Sequence, residues 1–378
     1  MTTPPLGLYL HIPFCRQRCD FCAFYLEIHR EDRAETFVRS LIHEIRLSTH
    51  QHMAAGRPIQ SVYLGGGTPT VLATTQLLEI LSELRTALTL TSDCEITVEG
   101  HPSTISDQDL AQLLQAGTTR ISFGAESMDD GDLTRIGRPG AVCETVTAVT
   151  QARAAGFTNI NLDVMYGLPG QSLGSWQRTL THCLALEPTH LSCYALTVEE
   201  DTRLASNIQR GRSPALDEDL QIEMDQVAQQ ILSNAGYERY EVSNYAKPGY
   251  ACRHNLLYWT NGEYLGFGPS AQSYFAGTRF GNVADLAVYN TSLAESRLPI
   301  EDRSRLSEKE QLRDAVIFGL RLIRGVPTFH LHQHAENYGH TAVTAQLFAE
   351  QLIEENGERS RLSARGRLQA DTIAGQLY

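Results

Sequence analysis

The sequence predicts an α/β protein with a parallel β-sheet, followed by a small α+β module of the winged-helix type. Three observations predict this class. Short runs rich in β-branched and aromatic residues alternate with longer runs of helical period over the first two-thirds of the chain. Such helices supply the crossovers that parallel neighbours require. After residue 236 the alternation fades, and helices followed by a short hairpin pattern begin near Leu306.

Six strand candidates alternate with six helix candidates. The strands are predicted at residues 8–12, 61–64, 95–99, 120–123, 159–165 and 190–196, and the helices at about 34–48, 75–87, 107–116, 141–155, 173–185 and 217–235. The last helix is the clearest, because apolar residues recur on one face and Gly236 follows as a C-cap. Six units fit an open sheet or a barrel, including an incomplete one. In each, ligands bind at the carboxyl ends of the strands.

The remaining third of the sequence has a different organisation. Residues 237–246 are predicted as another extended segment, and residues 249–281 are rich in Gly, Tyr and Asn and are predicted to be mostly loop. A helix at 308–322, a short one near Phe329, a helix at 341–354 and a hairpin around Asn356-Gly357 then follow. We therefore predict a core at 1–236, a connecting segment at 237–300 and a C-terminal winged-helix-like domain at 301–378.

Composition and charge exclude several classes of protein. The chain has 378 residues, of which 42% are hydrophobic, so it is not a disordered or collagen-like chain. Its 44 acidic and 31 basic residues give a formal charge of −13, which argues against general nucleic-acid binding. The longest apolar run that we find, residues 315–320, is far shorter than the about 20 residues of a membrane span. No transmembrane segment is expected, and peripheral membrane contact stays open.

The cysteines indicate the compartment and the chemistry. The N-terminal stretch MTTPPLGLYLHIP has no charged n-region and is interrupted by proline, unlike a secretory signal. Eight cysteines are too few for a disulfide scaffold, and three of them, Cys15, Cys19 and Cys22, stand together. A lone cluster without an export signal predicts metal or redox chemistry in the cytoplasm.

The spacing of these cysteines, C-x3-C-x2-C, allows three interpretations. On a helix the three would share a face, as buried core cysteines do. With the imidazole of His11 they would complete a four-ligand zinc site. The third interpretation is a [4Fe–4S] cluster, which normally takes four thiolates, so that three leave one iron open to a small molecule. The charged and polar residues between the cysteines favour a loop.

Further candidate residues stand at the ends of successive predicted strands. Gly65-Gly66-Gly67-Thr68 ends the second strand, and glycines let a backbone approach a ligand closely. This is not a P-loop, since no Gly-Lys-Ser/Thr follows. The other candidates are Glu99, Glu126, Arg138 and Asp163. Strand-end carboxylates can accept hydrogen bonds from hydroxyls or an amine, so together these residues predict one ligand pocket.

With these residues the chain resembles the radical S-adenosylmethionine (SAM) enzymes, in which C-x3-C-x2-C follows an N-terminal strand and a GGGTP loop follows the second strand. The resemblance implies a partial (β/α)6 TIM-like barrel and a [4Fe–4S] cluster on Cys15, Cys19 and Cys22. It also implies SAM, chelated to the open iron by its amino and carboxylate groups. An electron from an external donor, passed through the cluster, would cleave the sulfonium and release a 5′-deoxyadenosyl radical.

The resemblance is closest to the oxygen-independent coproporphyrinogen III oxidase-like group and, within it, to the HemW-type haem chaperones. It covers nearly the whole chain and includes the stretches YLHIPFC at 9–15, GGGTPT at 65–70 and YGLPGQ at 166–171. The SAM site that it implies consists of Tyr9 by the sulfonium, Phe21, Ala195 and Phe267 at the adenosyl end, and Gly66, Gly67, Thr68, Glu99, Glu126, Arg138 and Asp163 between them. Two positions depart from the family pattern, since Glu126 replaces a usual Gln and Gly100-His101 replaces a small residue and Asn.

Two features favour the chaperone branch over the oxidases. The oxidases carry a fourth cysteine two residues past the third, where this chain has Phe24, and they have a longer segment before the cluster. The chaperone branch carries an H-N-x-x-Y-W motif associated with haem binding, present here as His254, Asn255, Tyr258 and Trp259. Imidazole is a common axial haem ligand, and aromatic rings pack on a porphyrin face.

The function that the resemblance implies is that of a haem chaperone, which binds the cluster, SAM and haem and transfers haem to an acceptor protein. No catalytic side chain is assigned. The alternatives are coproporphyrinogen III dehydrogenation to protoporphyrinogen IX, which Phe24 disfavours, and a related radical SAM methyltransferase or cyclopropanase. A zinc protein without enzymatic activity is the remaining alternative.

Overall fold

The structure is a computed structural model that describes residues 5–50 and 56–378. Residues 1–4, which belong to the stretch compared above with a secretory signal, lie outside the described residues. The strands are β1 Leu6–Ile12, β2 Phe14–Cys15, β3 Glu27–Ile28, β4 Ile59–Gly66, β5 Leu90–Gly100, β6 Arg120–Glu126, β7 Ile160–Tyr166, β8 His190–Ala195, β9 Glu238–Arg239, β10 Asn244–Ala246, β11 Tyr264–Phe267, β12 Gln272–Phe275, β13 Thr278–Asn282, β14 Ile300–Arg305, β15 Val326–Pro327, β16 Ile353–Asn356 and β17 Arg359–Leu362.

Helices follow most of the parallel strands. They are α1 Glu31–His50, α2 Thr74–Ala87, α3 Asp107–Gln115, α4 Asp130–Arg135, α5 Val142–Ala155, α6 Leu173–Ala185, α7 Arg203–Gln209, α8 Glu218–Asn234, α9 Arg253–Trp259, α10 Leu286–Ala294, α11 Glu308–Gly319, α12 Thr328–Tyr338, α13 Thr341–Ala349, α14 Ala364–Arg367 and α15 Ala370–Leu377. Short 3-10 helices lie at Pro69–Val71 and Pro102–Thr104. The six predicted helices correspond to α1, α2, α3, α5, α6 and α8.

One sheet of twelve strands organises the molecule, in the order β14-β13-β12-β11-β1-β4-β5-β6-β7-β8-β10-β9. The strands from β11 to β8 run parallel, and those on either flank pair antiparallel. All six predicted parallel strands are present. In the described part of the chain the edge strands β14 and β9 do not pair with each other, so the sheet is an incomplete barrel.

The two faces of the parallel sheet bury different chemistry. In β1 the even positions from Leu6 to Ile12 are apolar and fully buried in the main hydrophobic core, together with side chains of α1 and α2. The odd positions Tyr9 and His11 point to the opposite face, because side chains alternate along a strand. β5 follows the same rule, with Ile96 and Val98 in the core. The face opposite the helices, which is the concave inner face of the incomplete barrel, is therefore polar.

Residues 237–300, predicted as a connecting segment, contribute to the sheet on both flanks. β9 and β10 continue it beyond β8, and β11 to β13 extend it beyond β1. β9 and β10 lie within the extended segment predicted at 237–246. The composition concealed β11 to β13, because glycines occupy tight positions in β11 and β13. A Cβ atom at Gly266 would lie 2.2 Å from the carbonyl oxygen of Gln272, so the pairing of β11 with β12 requires glycine there.

The C-terminal residues form a second hydrophobic core under a small antiparallel sheet. β15, β17 and β16 pair in that order, and α11 to α15 surround them. The core includes Val316, Leu331, Leu347 and Leu377. This arrangement contains the helices and the hairpin that the sequence predicts, and the predicted domain limits at 236 and 300 stay a prediction. No helix within residues 5–50 and 56–378 has both the length and the apolarity to cross a bilayer.

Candidate functional site

The three clustered cysteines lie at the carboxyl end of the parallel strands. Cys15 ends β2, and Cys19 and Cys22 lie in the loop between β2 and β3. All three are free thiols, and Cys19 is the most buried of them. They line one cavity of about 490 Å³. That volume falls within the roughly 300–1,000 Å³ of small-molecule sites.

Two of the thiols contact polar side chains from loops elsewhere in the chain. The Sγ of Cys15 is 3.3 Å from the Oγ1 of Thr68, in the glycine-rich loop after β4. Arg138 donates from Nη1 to the Sγ of Cys19 at 3.5 Å. Burial raises the pKa of both thiols, and the guanidinium of Arg138 lowers it in part. A thiolate on Cys19 therefore gains its main support from Arg138, and one on Cys15 from the hydroxyl of Thr68, and a bound metal would support both.

His11 is not placed as a fourth ligand for these thiols. Its Nδ1 is 3.0 Å from the hydroxyl of Tyr9, and its Nε2 is 3.3 Å from the carbonyl oxygen of Tyr25. Within the described residues, no three His, Cys, Asp or Glu side chains are arranged to hold a single metal ion. This geometry disfavours the zinc interpretation.

The glycine-rich loop is packed tightly between strands and the cysteine loop. Gly66 has a φ of 106°, and a Cβ atom there would lie 2.6 Å from the ring of His11. At Gly67 a Cβ atom would lie 2.6 Å from the carbonyl oxygen of Phe14. The amides of Gly67 and Thr68 donate to the carbonyls of Ile12 and Phe14 at 2.8 and 2.7 Å. Only glycine permits this approach.

Two half-buried acidic residues lie on β5 and β7, Glu99 next to the last residue of β5 and Asp163 in the middle of β7. Glu99 accepts from the hydroxyl of Tyr63 at 2.6 Å and from the amide of Gly66 at 3.3 Å. Burial raises the pKa of Glu99 to about 7. Asp163 accepts from Ser122 at 2.9 Å and from Asn161 at 3.0 Å. Both carboxylates are oriented by neighbours on the concave face, and both line the cavity.

Glu126 and Arg138 form an ion pair on the wall of the same cavity. Arg138 Nη2 lies 3.5 Å from Glu126 Oε1 and donates to the carbonyl of Gly124 at 2.6 Å. Burial raises the pKa of Glu126 to about 7, although Arg138 opposes the shift. Glu126 has a φ of 60°, an uncommon conformation for a residue with a side chain. The carboxyl is held there at the end of β6.

His101, the second departure from the family pattern, has a structural role beside the site. Its Nε2 is 3.0 Å from the carbonyl of Pro139, and its Nδ1 accepts from the amide of Ser103 at 3.1 Å. Burial, with Arg138 contributing, lowers the pKa of His101 to about 4. The neutral ring therefore joins the turn after β5 to the loop that carries Arg138.

Most of the predicted cluster and SAM residues come together in this cavity. Its lining includes Cys15, Cys19, Cys22, Phe21, Gly66, Gly67, Thr68, Glu99, Glu126, Arg138 and Asp163. Three predicted residues are not part of the lining. Tyr9 lines a neighbouring cavity, Ala195 is exposed at the end of β8, and Phe267 packs in the hydrophobic core on the helix side of the sheet. Phe267 pairs in register with Leu10 of β1, and this register turns its side chain away from the concave face.

The sequence reasoning missed several residues that line the cavity. Met165 and Tyr194 lie near the ends of β7 and β8, Ser103 lies in the short 3-10 helix after β5, and Glu199 lies in the loop after β8. Strand position alone predicts the first two, because they alternate in phase with Asp163 and Ser192. The loop residues carry no comparable signal.

The H-N-x-x-Y-W motif is divided between the interior and a second cavity. His254 is 1% exposed, with Nδ1 3.0 Å from Ser61 Oγ and Nε2 2.9 Å from the hydroxyl of Tyr258. Burial and the charge of Arg120 lower its pKa to about 3. Asn255 is half-buried and lines neither cavity. Tyr258 and Trp259 line the second cavity.

This second cavity, of about 400 Å³, is rich in aromatic side chains. Its aromatic lining consists of Tyr9, Phe24, Tyr25, Tyr258, Trp259, Tyr264 and Phe318. Arg279 is the one arginine among its lining residues. Phe24, which is 69% exposed, lines both cavities and stands between them. The two sites are therefore neighbours.

The side chains that line the first cavity are chemically suited to an iron–sulfur cluster and SAM. Three thiols, one at the end of β2 and two in the loop after it, give the donor set of a cluster with one iron left open. The glycine loop removes side chains from the opposite wall, and the carboxylates of Glu99 and Asp163 can accept hydrogen bonds from hydroxyls or an ammonium group.

Comparison with known proteins agrees with this chemistry. The sequence pattern of the family described as the radical SAM superfamily matches residues 9–183. A protein named heme chaperone HemW from Bacillus subtilis is 32% identical over 375 residues, which cover 97% of each chain. The heme chaperone HemW of Mycobacterium tuberculosis is 34% identical over 381 residues, covering all of this chain and 96% of the relative.

A solved structure has the same fold over almost the whole length. It is the coproporphyrinogen III oxidase HemN from Escherichia coli, a radical SAM enzyme, with a TM-score of 0.85. It is 24% identical and aligns with 99% of this chain and 90% of its own. At that identity the likeness establishes the fold alone. On its sequence, this chain belongs to the radical SAM superfamily and, within it, to the family of the HemW proteins.

Proposed function

We propose that this protein is a radical SAM haem chaperone, which binds a [4Fe–4S] cluster, SAM and haem and passes haem to an acceptor protein. The observation that carries the proposal is the adjacency of two different cavities. One is lined by three thiols, the glycine loop and carboxylates, and the other by seven aromatic rings, with Phe24 as a shared wall. Because the relatives are named heme chaperones, we propose haem as the ligand that this chain carries.

In this proposal Cys15, Cys19 and Cys22 hold the cluster, and the polar walls hold SAM. Reduced cluster and SAM together supply radical chemistry when both are bound. Arg138 stabilises negative charge on Cys19, and Thr68 donates toward Cys15. The loop of Gly66 and Gly67 lets the backbone approach the methionyl part, while Glu99 and Asp163 orient hydroxyl and ammonium groups.

The aromatic cavity suits a flat macrocycle with anionic substituents. Tyr258 and Tyr264 meet edge to face with ring centroids 4.5 Å apart, which leaves rigid apolar walls. Arg279 donates to Asp314 at 2.9 Å and stacks on Phe318 at 5.1 Å. A guanidinium held in this way can also bind a carboxylate at the rim of the macrocycle.

The cytoplasm is the proposed site of action. All eight cysteines are free thiols, as a reducing compartment requires. The acceptor and the electron donor are proposed as separate proteins.

The test is anaerobic reconstitution with iron and sulfide, followed by titration with haem. We expect a four-iron spectrum that the replacement of Cys15, Cys19 or Cys22 by Ala abolishes. Cys143→Ala is the matched control, because Cys143 is an exposed thiol far along the chain from the cluster loop. Wild-type protein that assembles no cluster, or that leaves the haem spectrum unchanged, would refute the proposal.

The same preparation tests the oxidase alternative. Phe24 stands where the oxidases have a fourth cysteine, so we expect no protoporphyrinogen from coproporphyrinogen III in the presence of SAM and reductant. Formation of protoporphyrinogen would favour the oxidase function over the chaperone function. Methyl transfer to an aromatic acceptor would instead identify a methyltransferase.

A further inference from the structure

A third cavity lies between the twelve-stranded sheet and the small antiparallel sheet of the C-terminal module. It encloses about 510 Å³, within the roughly 300–1,000 Å³ of small-molecule sites, and it shares no lining residue with the cluster cavity or the aromatic cavity. Four arginines line it, and we call it the arginine cavity. They are Arg239 of β9, Arg324 in the loop between α11 and β15, and Arg359 and Arg361 of β17.

Two of the four arginines are paired with carboxylates. Arg239 donates from Nη1 and Nη2 to the two carboxylate oxygens of Asp225 at 3.0 and 2.8 Å. Arg361 donates from Nε to Glu354, its cross-strand neighbour on β16, at 2.8 Å. These two guanidinium groups are therefore neutralised by the chain itself and add little net charge to the cavity.

Arg359 is held by the main chain instead of by a carboxylate. Its Nε donates to the carbonyl of Arg324 at 2.8 Å and its Nη2 to the carbonyl of Gly325 at 2.5 Å, which leaves Nη1 for a ligand. Within residues 5–50 and 56–378, neither Arg359 nor the exposed Arg324 has a carboxylate partner. The cavity thus carries two uncompensated positive charges, although the formal charge of the whole chain is −13.

A neighbouring cavity extends the positive region. It shares Arg239 and Ile323 with the arginine cavity and adds Arg367 and Glu238. The Nε of Arg367 is buried and has no hydrogen-bond partner in the part of the chain that the structure describes. Burial lowers the pKa of Arg367, and the charges of nearby arginines lower it further. The positive charges of this region repel each other, and an anion bound among them would offset that repulsion.

Another part of the lining of the arginine cavity is apolar. Leu256 of α9 contributes to it, together with Leu322 and Ile323 in the loop after α11. Tyr240 also lines the cavity, and its hydroxyl is already bonded to Nε2 of His190 at 2.9 Å. Sites for small molecules combine such apolar walls with a few charged groups that fix the orientation of the ligand. A ligand with an apolar body and an anionic end matches this lining.

We propose that the arginine cavity binds a small phosphate monoester with an apolar body. Guanidinium groups match the geometry of phosphate oxygens and form strong, charge-assisted hydrogen bonds with them. A phosphate monoester carries about −1.5 to −2 charges at pH 7, which matches the two uncompensated arginines of the cavity. The site is separate from those proposed for the cluster, SAM and haem, so this inference goes beyond the proposed function.

The experiment titrates the purified full chain with phenyl phosphate, a small monoester with an apolar ring, and measures the heat of binding. We expect saturable binding that Arg359→Gln and Arg324→Gln each weaken by about tenfold. Arg365→Gln is the matched control, because Arg365 is an exposed arginine of the same module that does not line the cavity. Phenyl sulfate, which has the same ring and a single charge, should bind more weakly, and so should inorganic phosphate, which lacks the ring.

Several outcomes would overturn the inference. One is wild-type protein that does not bind phenyl phosphate at millimolar concentration, and another is equal affinity in the wild type and in Arg324→Gln. The second variant decides the matter if Arg359→Gln folds poorly, since the side chain of Arg324 is exposed. Equal affinities for phenyl phosphate and inorganic phosphate would exclude the apolar contact. A phosphotyrosine peptide that binds at least about tenfold more tightly than phenyl phosphate would assign the site to a partner protein, against this proposal. None of these results depends on cluster, SAM or haem binding.

Discussion

Gly66 shows how much of the site depends on the absence of a single side chain. Its φ of 106° lies in a region that residues with a Cβ atom rarely adopt, and the ring of His11 occupies the space of a Cβ atom. The same residue donates its amide to Glu99 at 3.3 Å. One glycine thus joins the first, second and third parallel strands at the cavity.

Gly66→Ala should therefore impair ligand binding as well as stability. We expect SAM affinity to fall by about tenfold or more, because the loop must move away from His11. Gly236→Ala is the matched control, since Gly236 has a φ of 83° but a Cβ atom added there would meet no other atom within 4 Å. Equilibrium dialysis of the reconstituted proteins measures the difference. Equal SAM affinity in the two variants would contradict this role for the loop.

Glu126 makes the charge of the SAM cavity sensitive to pH near neutrality. Its carboxyl has a pKa raised to about 7 by burial, so the fraction ionised increases as the pH rises through this value. An ionised carboxylate attracts the sulfonium cation, whereas the protonated acid does not. SAM should bind more tightly at pH 8 than at pH 6.

Glu126→Gln should weaken this dependence without abolishing it. The amide does not titrate, while Glu99 in the same cavity also has a pKa raised to about 7 and remains. We expect the ratio of SAM dissociation constants between pH 6 and pH 8 to be smaller in the variant, by a few-fold. Calorimetric titration at three pH values measures it. An identical ratio in both proteins would show that Glu126 remains in one protonation state.

At the scale of elements, one buried carboxyl connects the long first helix to the far flank of the sheet. Glu44 of α1 accepts from the amide of Gly268 at 2.8 Å, from Asn282 at 2.6 Å and from the hydroxyl of Tyr289 at 2.6 Å. These donors belong to the end of β11, to β13 and to α10. The strands that the sequence did not predict are thereby attached to the predicted core.

Glu44→Ala leaves these three donors without their partner. We expect the free energy of unfolding to fall by about 2–4 kcal/mol, because buried donors lose hydrogen bonds and a cavity forms. Glu35→Ala is the control, since Glu35 is an exposed residue of the same helix and its loss should cost less than about 0.5 kcal/mol. Denaturant titration of both variants measures the difference. A change in Glu44→Ala no larger than that in Glu35→Ala would exclude this role.

The elements differ in how far the sequence could predict them. The six parallel strands and their helices were predictable, because their periods are clear and buried apolar residues dominate one face. β11 to β13 were not, since glycines such as Gly266 are needed for backbone approach and dilute the strand pattern. The short helices α4, α7 and α9 were also missed, because seven residues or fewer contain too few turns for a helical period.

The site was predictable where it follows the sheet and less so elsewhere. Glu99 and Asp163 converge because their strands run parallel in one sheet and both side chains point to the face that lines the cavity. Phe267 was expected there and packs in the core instead, because its register with Leu10 turns it to the helix side. The burial of His254 depends on long-range packing of α9 against β4, which no local pattern encodes.

At the scale of the whole molecule, buried titratable groups should make stability fall most steeply with pH just above about 6.5. Burial raises the pKa of the carboxyls of Glu44, Glu99 and Glu126 to about 7. From their unfolded values near 4.5 up to 7, the native state binds more protons than the unfolded state, so these groups make stability fall as pH rises. Burial lowers the pKa of His101 to about 4 and of His254 to about 3, and these rings make stability rise up to about 6.5.

The two effects oppose each other most strongly below about pH 6.5. The imidazoles of the unfolded chain are half protonated at that pH and lose their remaining protons over the next unit, so the opposing effect fades and the carboxyls come to dominate. We expect the free energy of unfolding of the metal-free protein to fall by on the order of 1–3 kcal/mol between pH 6.5 and 7.5. Denaturant unfolding across pH 5 to 8 tests this, with Glu44→Gln reducing the fall. Stability that keeps rising to pH 8 would mean that these carboxyls are already ionised in the folded chain.

Phe24, the exposed ring between the two cavities, has a thermodynamic consequence. A ligand in either cavity would cover one side of this ring and so change the surface that a ligand in the other cavity contacts. In the proposed haem chaperone, whatever factor SAM applies to the affinity for haem, haem must apply to the affinity for SAM, because linkage is reciprocal. The effect of SAM on haem binding and the effect of haem on SAM binding are therefore given by one coupling free energy, and the ring of Phe24 is the group that both would contact.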